Sequence, residues 1–165
     1  MAKICVFGAN GKVGRLFIEM ALNEGHAITA FVRSRSRFSH PAHESLQVYE
    51  GDATNLQAVQ QAIQEAEIVT SFLGNPNKKT LIMAQAAHTI SQAALESTSA
   101  PRCLMISSVG VGGSSWLIKM MLSIIGGKKG FQDYEDAEAV IRNASGLKRS
   151  VSYTHLRAHE TLQHR

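Results

Sequence analysis

Residues 4–14 read Ile4-Cys5-Val6-Phe7-Gly8-Ala9-Asn10-Gly11-Lys12-Val13-Gly14, and the fold turns on this stretch. The apolar run Lys3–Phe7 ends on a glycine and reads as a buried strand. After the loop, Val13, Leu16, Phe17 and Met20 recur at helical spacing along Lys12–Asn23, and Gly25 provides a left-handed stop. Each glycine of the loop has its own physical task. Gly8 permits the tight turn out of the strand, Gly11 lets the backbone approach a pyrophosphate, and Gly14 lets the helix pack close to the sheet. The free N–H groups and positive dipole end of the helix then face the phosphates. The spacing is Gly-x-x-Gly-x-x-Gly, and tight strand–helix turns also use glycine for packing alone. Its place between a first strand and a first helix favours a dinucleotide cradle made by Gly8, Asn10, Gly11, Lys12, Val13 and Gly14.

Outward from this unit the chain alternates. Strands are expected at Ala27–Val32, Leu46–Tyr49, Ile68–Leu73 and Arg102–Ser107, with a sixth opening at Leu147. Helices are expected over Leu56–Ile63, Thr80–Leu95 and Gln132–Asn143. Strands separated by helices imply right-handed crossovers and a parallel sheet covered on both faces. The fold class is α/β: a Rossmann-type, doubly wound, three-layer domain with strand order 3-2-1-4-5-6.

The 165 residues suffice for one domain with a sizeable core. With 44% hydrophobic and 18% charged residues the chain is globular in composition. The formal net charge is +4, but the basic residues are scattered apart from Arg33, Arg35 and Arg37, which argues against a nucleic-acid partner. Cys5 and Cys103 lie in apolar runs and read as buried thiols in a reducing compartment. The apolar runs are too short for a membrane span and no signal peptide precedes the first strand, so a cytoplasmic protein is expected. His26, His40, His43 and His88 lack ligand spacing and there is no Cys–His cluster, so no metal site is expected.

The end of the second strand discriminates between cofactors. An acid there would bind the adenosine ribose and repel a 2′-phosphate; this chain has Val32-Arg33-Ser34-Arg35-Ser36-Arg37 instead. Guanidinium groups offer planar, paired donors to phosphate oxygens, and serine hydroxyls add more. Arg33, Ser34 and Arg35 therefore favour NADP(H) over NAD(H), the alternative being a solvated basic loop.

The opening motif, the Phe31-Val32-Arg33 strand end, Gly51-Asp52-Ala53, Ser71-Phe72-Leu73-Gly74, Ile106-Ser107-Ser108-Val109 and the stretch from Glu138 to Ser145-Gly146-Leu147 occur in order over about 145 residues. In these pieces the chain resembles the atypical short-chain dehydrogenases/reductases with NmrA-like NAD(P)-binding domains, most of all the flavin reductase/biliverdin-IXβ reductase type. The resemblance implies that Asp52 and Ala53 help hold the adenine and that Leu73 and Gly74 lie beneath the nicotinamide ribose. Read alone, Gly51-Asp52-Ala53-Thr54 is a turn with a helix N-cap.

Hydride transfer is a positioning task carried out beyond the carboxyl ends of the central strands. Ser107 and Ser108 close the fifth strand at that edge. There the resemblance places a hydroxyl beside the nicotinamide and aligns it with Ser108. A pure capping role for the pair is the alternative. The usual acid of short-chain dehydrogenases is a tyrosine with a lysine four positions later, whereas Tyr134 is followed at that offset by Glu138. That departure suits an acceptor that takes its proton from water, and Tyr134 itself reads as a half-buried packing residue. The apolar segment Val109–Gly130 has three readings: a wall for a flat substrate, an oligomer face or a lipid contact. Two functions follow. One is NADPH-dependent reduction of a small conjugated acceptor, flavin- or quinone-like; the other is a non-catalytic NADP(H)-binding redox-sensing regulator.

Residues 151–161, Val-Ser-Tyr-Thr-His-Leu-Arg-Ala-His-Glu-Thr, resemble a translated transposase adapter of the kind used in sequencing libraries. Three of the seven histidines, His155, His159 and His164, fall in the last eleven residues. The expected division is therefore a domain over 1–149, C-terminally truncated, and a non-native tail over 150–165. The alternative is a genuine polar C-terminal strand and helix.

Overall fold

The computed structural model describes residues 1–74, 82–107 and 128–153. Six strands form one sheet: β1 (Lys3–Phe7), β2 (Ala27–Val32), β3 (Leu46–Glu50), β4 (Ile68–Ser71), β5 (Arg102–Ser107) and β6 (Arg149–Tyr153). The order is β3-β2-β1-β4-β5-β6, every pairing parallel, as the alternation of strands and helices required. Among the described residues the helices that connect them are α1 (Lys12–Asn23), α2 (Leu56–Ile63), α3 (Ile82–Glu96) and α4 (Lys128–Asn143). Between β2 and β3 there is only a 3-10 turn, Arg35–Arg37. The chain reverses direction across the sheet between β1 and β4, so a crevice opens at their carboxyl ends.

The central strand shows why the sheet is buried on both sides. Cys5 and Phe7 pack with Val59, Ile63, Ile90 and Ala94 of α2 and α3. Ile4 and Val6 pack with Ile18, Ala21 and Leu22 of α1. Successive side chains of a strand point to opposite faces, so a run of four apolar residues feeds two cores. Phe7 and Phe31 meet across neighbouring strands as a tilted pair with ring centroids 4.6 Å apart, and Phe31 stacks on Tyr49 at 5.6 Å. The two cysteines are free and buried, and burial pushes the Cys103 thiol up to about 11 and that of Cys5 higher still.

Several boundaries differ from the sequence reading, β3 and α3 each running one residue past it, to Glu50 and Glu96. β4 ends at Ser71 rather than Leu73, because Phe72 and Leu73 turn away to meet the glycine loop. α4 begins four residues early, at Lys128. The sixth strand, opened at Leu147 in the sequence, forms over Arg149–Tyr153 in register with β5, while Leu147 itself is buried in the core beside α3. That strand spans the boundary expected at Arg149.

A third cluster, Met83, Ala87, Met105, Ala137 and Ile141, joins α3 and α4 to β5. Beside it lies a buried carboxylate. Asp133 of α4 has no exposed surface and accepts the backbone N–H groups of Met83 at 3.0 Å and Ala84 at 2.9 Å. These belong to the first turn of α3, whose N–H groups have no acceptor within the helix. An acid at a helix N-terminus also meets the positive end of the dipole. Asp133 therefore caps α3 from another helix and ties the two together. Asp133→Ala should lower stability by about 2–3 kcal/mol, read as a fall in the thermal midpoint, with Asp133→Asn losing less. An unchanged midpoint in the alanine variant would refute the capping role.

Candidate functional site

The three loop glycines are demanded by different neighbours. Gly8 has φ +75°, and a Cβ on it would lie 2.6 Å from the Phe72 carbonyl carbon and oxygen. A Cβ on Gly14 would lie 2.3 Å from the Gly8 carbonyl oxygen and 3.0 Å from Ala9 Cα. Both glycines are therefore imposed by backbone contacts within the protein. Gly11 is not: its Cβ would meet only the Gly8 oxygen, at 3.3 Å, which a shift of a few tenths of an ångström relieves. Gly11 is exposed, so a ligand backbone could approach it.

Gly11 is also the N-cap of α1, and no side chain caps that end; the first turn contains no acid. The first α-helical bond runs from Arg15 N–H to the Gly11 carbonyl at 2.9 Å. The N–H groups ahead of it, on Lys12, Val13 and Gly14, belong to the set that a helix cannot satisfy internally. Asn10 and Lys12 are exposed, and Val13 is 54% exposed. Asn10 is held from the helix: the Arg15 guanidinium donates to its side-chain oxygen and, at 3.2 Å, to its backbone carbonyl. Arg15 escaped the sequence reading. Its signal was an asparagine and an arginine five positions apart across a helix start.

At the carboxyl ends of β2 and β3 the arginine cluster divides. Arg33 is exposed, and its charge acts on Asp52, whose carboxyl is held below the usual carboxylate range chiefly by two hydrogen bonds from Thr54 and further by Arg33. Arg35 is turned to β3: its guanidinium donates to the Val48 carbonyl at 2.8 Å and its backbone N–H to the Glu50 carboxylate at 2.8 Å. Ser34 is partly buried, and its hydroxyl lies 2.9 Å from that of Ser36. Asp52 makes a turn, accepting the Thr54 N–H at 2.9 Å and its hydroxyl at 2.8 Å. The N-cap of α2 is Asn55, which accepts the Ala58 N–H. The Ala53 methyl is buried in the core beneath α2. Arg33, Ser34 and Asp52 thus meet at one edge, while the Arg35 and Ala53 side chains are committed to the protein.

On the other side of the loop, Leu73 is partly buried against the α3–α4 cluster and Gly74 is exposed. Among the described residues, the nearest atom to a Cβ on Gly74 would be the Tyr134 hydroxyl oxygen, at 3.7 Å. Ser107 ends β5, paired with Tyr153 of β6, and Ser108 and the segment up to residue 127 lie outside the described residues. Glu138, four positions after Tyr134, is buried and paired with Arg142 at 2.7 Å. A pyrophosphate with two ribosides fits this arrangement: an uncapped helix start, a glycine with room beside it, and polar groups on both flanks.

A family model described as NAD(P)H-binding matches residues 8–163. Among solved structures the chain is similar to a short-chain dehydrogenase/reductase from Veillonella parvula DSM 2008 in complex with NADP, at 23% identity over 91% of this chain and 67% of that one, TM-score 0.74. It is similar to an anaerobillin reductase from Escherichia coli O157:H7, at 23% identity over 90% of this chain and 70% of that one, TM-score 0.71. A Rossmann-fold NAD(P)-binding family protein from Shigella flexneri is 20% identical over 93% of this chain and 66% of that one, TM-score 0.70. The chain spans about two thirds of the length of these structures. At these identities the likeness establishes the fold, and the family follows from the match to nearly the whole chain: this protein belongs to the NAD(P)H-binding family.

Proposed function

We propose that the protein is an NADPH-dependent reductase of a small conjugated acceptor, flavin- or quinone-like, of the NmrA-like flavin/biliverdin reductase type. The observation that carries the reading is Gly11, the one loop glycine whose missing side chain the protein's own packing does not require. When bound, the reduced nicotinamide supplies a hydride. The residues of this chain bind and orient. The α1 start and Gly11 hold the pyrophosphate, Arg33 with Ser34 takes the 2′-phosphate, and Asp52 faces the adenine side. Ser108, with Ser107 before it, orients the acceptor at the end of β5. Similarity to an anaerobillin reductase supports an extended conjugated acceptor. The pairing of Glu138 with Arg142 leaves no lysine at the offset that a tyrosine acid uses, which favours a proton from solvent. That same departure also favours a second reading, an NADP(H)-binding redox-sensing regulator without turnover.

Three measurements test the proposal. NADPH at about a hundred times its dissociation constant should stabilise the protein by roughly 2.7 kcal/mol, with a smaller shift for equimolar NADH; Arg33→Ala should erase the difference. A transition that neither cofactor moves would sink both readings. Gly11→Ala should keep its unfolding free energy within about 1 kcal/mol of the parent yet bind NADPH at least tenfold more weakly. Gly14→Ala should instead lose about 1–3 kcal/mol of stability through overpacking. Steady NADPH oxidation with flavins or quinones, slowed about tenfold in Ser108→Ala by loss of one hydrogen bond, separates the reductase from the regulator, which would show no turnover.

A further inference from the structure

The crevice has a second glycine that the protein's packing does not require, and it stands beside a hydroxyl. Gly74 is not among the glycines with positive φ, which are Gly8, Gly25 and Gly146. Among the described residues, its missing Cβ would meet nothing closer than the Tyr134 hydroxyl oxygen at 3.7 Å. Neither a positive φ nor a close neighbour among the described residues accounts for a glycine here. What its absent side chain does is leave an exposed approach to that hydroxyl.

The position in the crevice follows from contacts already described. Gly8 touches the backbone of Phe72 and Leu73, so the end of β4 forms one wall of the glycine loop. Gly74 is the next residue along that wall. The adenosine groups, Arg33 and Asp52, lie on the opposite side, at β2 and β3. A dinucleotide whose pyrophosphate sits at the start of α1 must send its other riboside toward β4. Tyr134 is also firmly placed. Its neighbour Asp133 is buried and bonded to the start of α3, and its ring packs on the cluster of Met83, Ala87, Met105, Ala137 and Ile141.

We infer that Tyr134 is a cofactor-binding residue whose phenol hydroxyl, reached past the bare Cα of Gly74, hydrogen-bonds the ribose of the nicotinamide half. A hydroxyl has one donor and two acceptor positions, so it can serve a ligand while keeping a protein partner. The inference rests on the dinucleotide reading above and revises the sequence reading of Tyr134 as packing alone. It gives the lysine-less pair Tyr134 and Glu138 separate tasks: the phenol serves the cofactor, and the carboxylate pairs with Arg142.

The test compares a whole cofactor with its adenosine half. Tyr134→Phe keeps the packed ring and removes only the hydroxyl, so it should still unfold in one cooperative transition. Binding of NADPH should weaken about three- to tenfold, the worth of one hydrogen bond, while 2′,5′-ADP, which lacks the nicotinamide riboside, should bind within twofold of the parent. Gly74→Val, which puts a side chain in the approach, should give the same pattern and carries the test if Tyr134→Phe does not fold. Equal weakening of both ligands, or no change in either, would overturn the inference. If the parent binds NADH and not NADPH, the comparison is made with NADH and ADP, and only the 2′-phosphate assignment falls. If the parent binds neither cofactor, the dinucleotide reading fails and this inference fails with it.

Discussion

The backbone contact between the glycine loop and its two neighbours governs the geometry of everything else. Gly8 lies against the Phe72 carbonyl, and Gly14 lies against the Gly8 carbonyl. No side chain separates these three segments, so β1, the start of α1 and the end of β4 are locked at main-chain distance. That lock brings the start of α1 over the point where the sheet reverses direction. It also explains why β4 is short: Phe72 must turn there, its N–H still bonded to the Phe7 carbonyl at 2.9 Å, and its ring packs on Phe17 of α1 at 5.0 Å. A methyl group at Gly8 or Gly14 would pry open the crevice before any ligand was considered.

The two flanks of the crevice are stabilised differently. At the glycine loop and the ends of β2 and β3 the supports are local and exposed: Thr54 on Asp52, Glu50 and Val48 on Arg35, Arg15 on Asn10. Exposed polar contacts of this kind are individually weak, and they set orientation more than stability. On the side of β4 and α4 the support is buried. Asp133 bridges two helices, and an apolar cluster fills the space between them and β5. The flank at β4 and β5 is thus tied into the core, while the flank at β2 and β3 keeps its charged groups in water.

Much of this was legible in the chain. The periods of the apolar residues placed the elements, and Gly8, Gly11 and Gly14 marked the loop, because main-chain conformation and helix-start chemistry are local properties. Residue roles were harder. Arg33 and Arg35 look equivalent in sequence, yet one acts on Asp52 and the other on the Val48 carbonyl, a choice made by where β3 lies beside β2. Asp52 looks like a helix N-cap, but the turn it makes with Thr54 hands that task to Asn55.

Other features have no signature at any spacing. The bond from Asp133 to Met83 and Ala84 spans about fifty residues, and Tyr134 meets Gly74 across sixty. The sequence by itself determined the doubly wound parallel sheet, its strand order and the place of the glycine loop, since each follows from periodicity, crossover handedness and the freedom of glycine. Only the tertiary structure decided which polar side chains face the crevice and which are spent on the protein, because that depends on which helix packs beside which strand end.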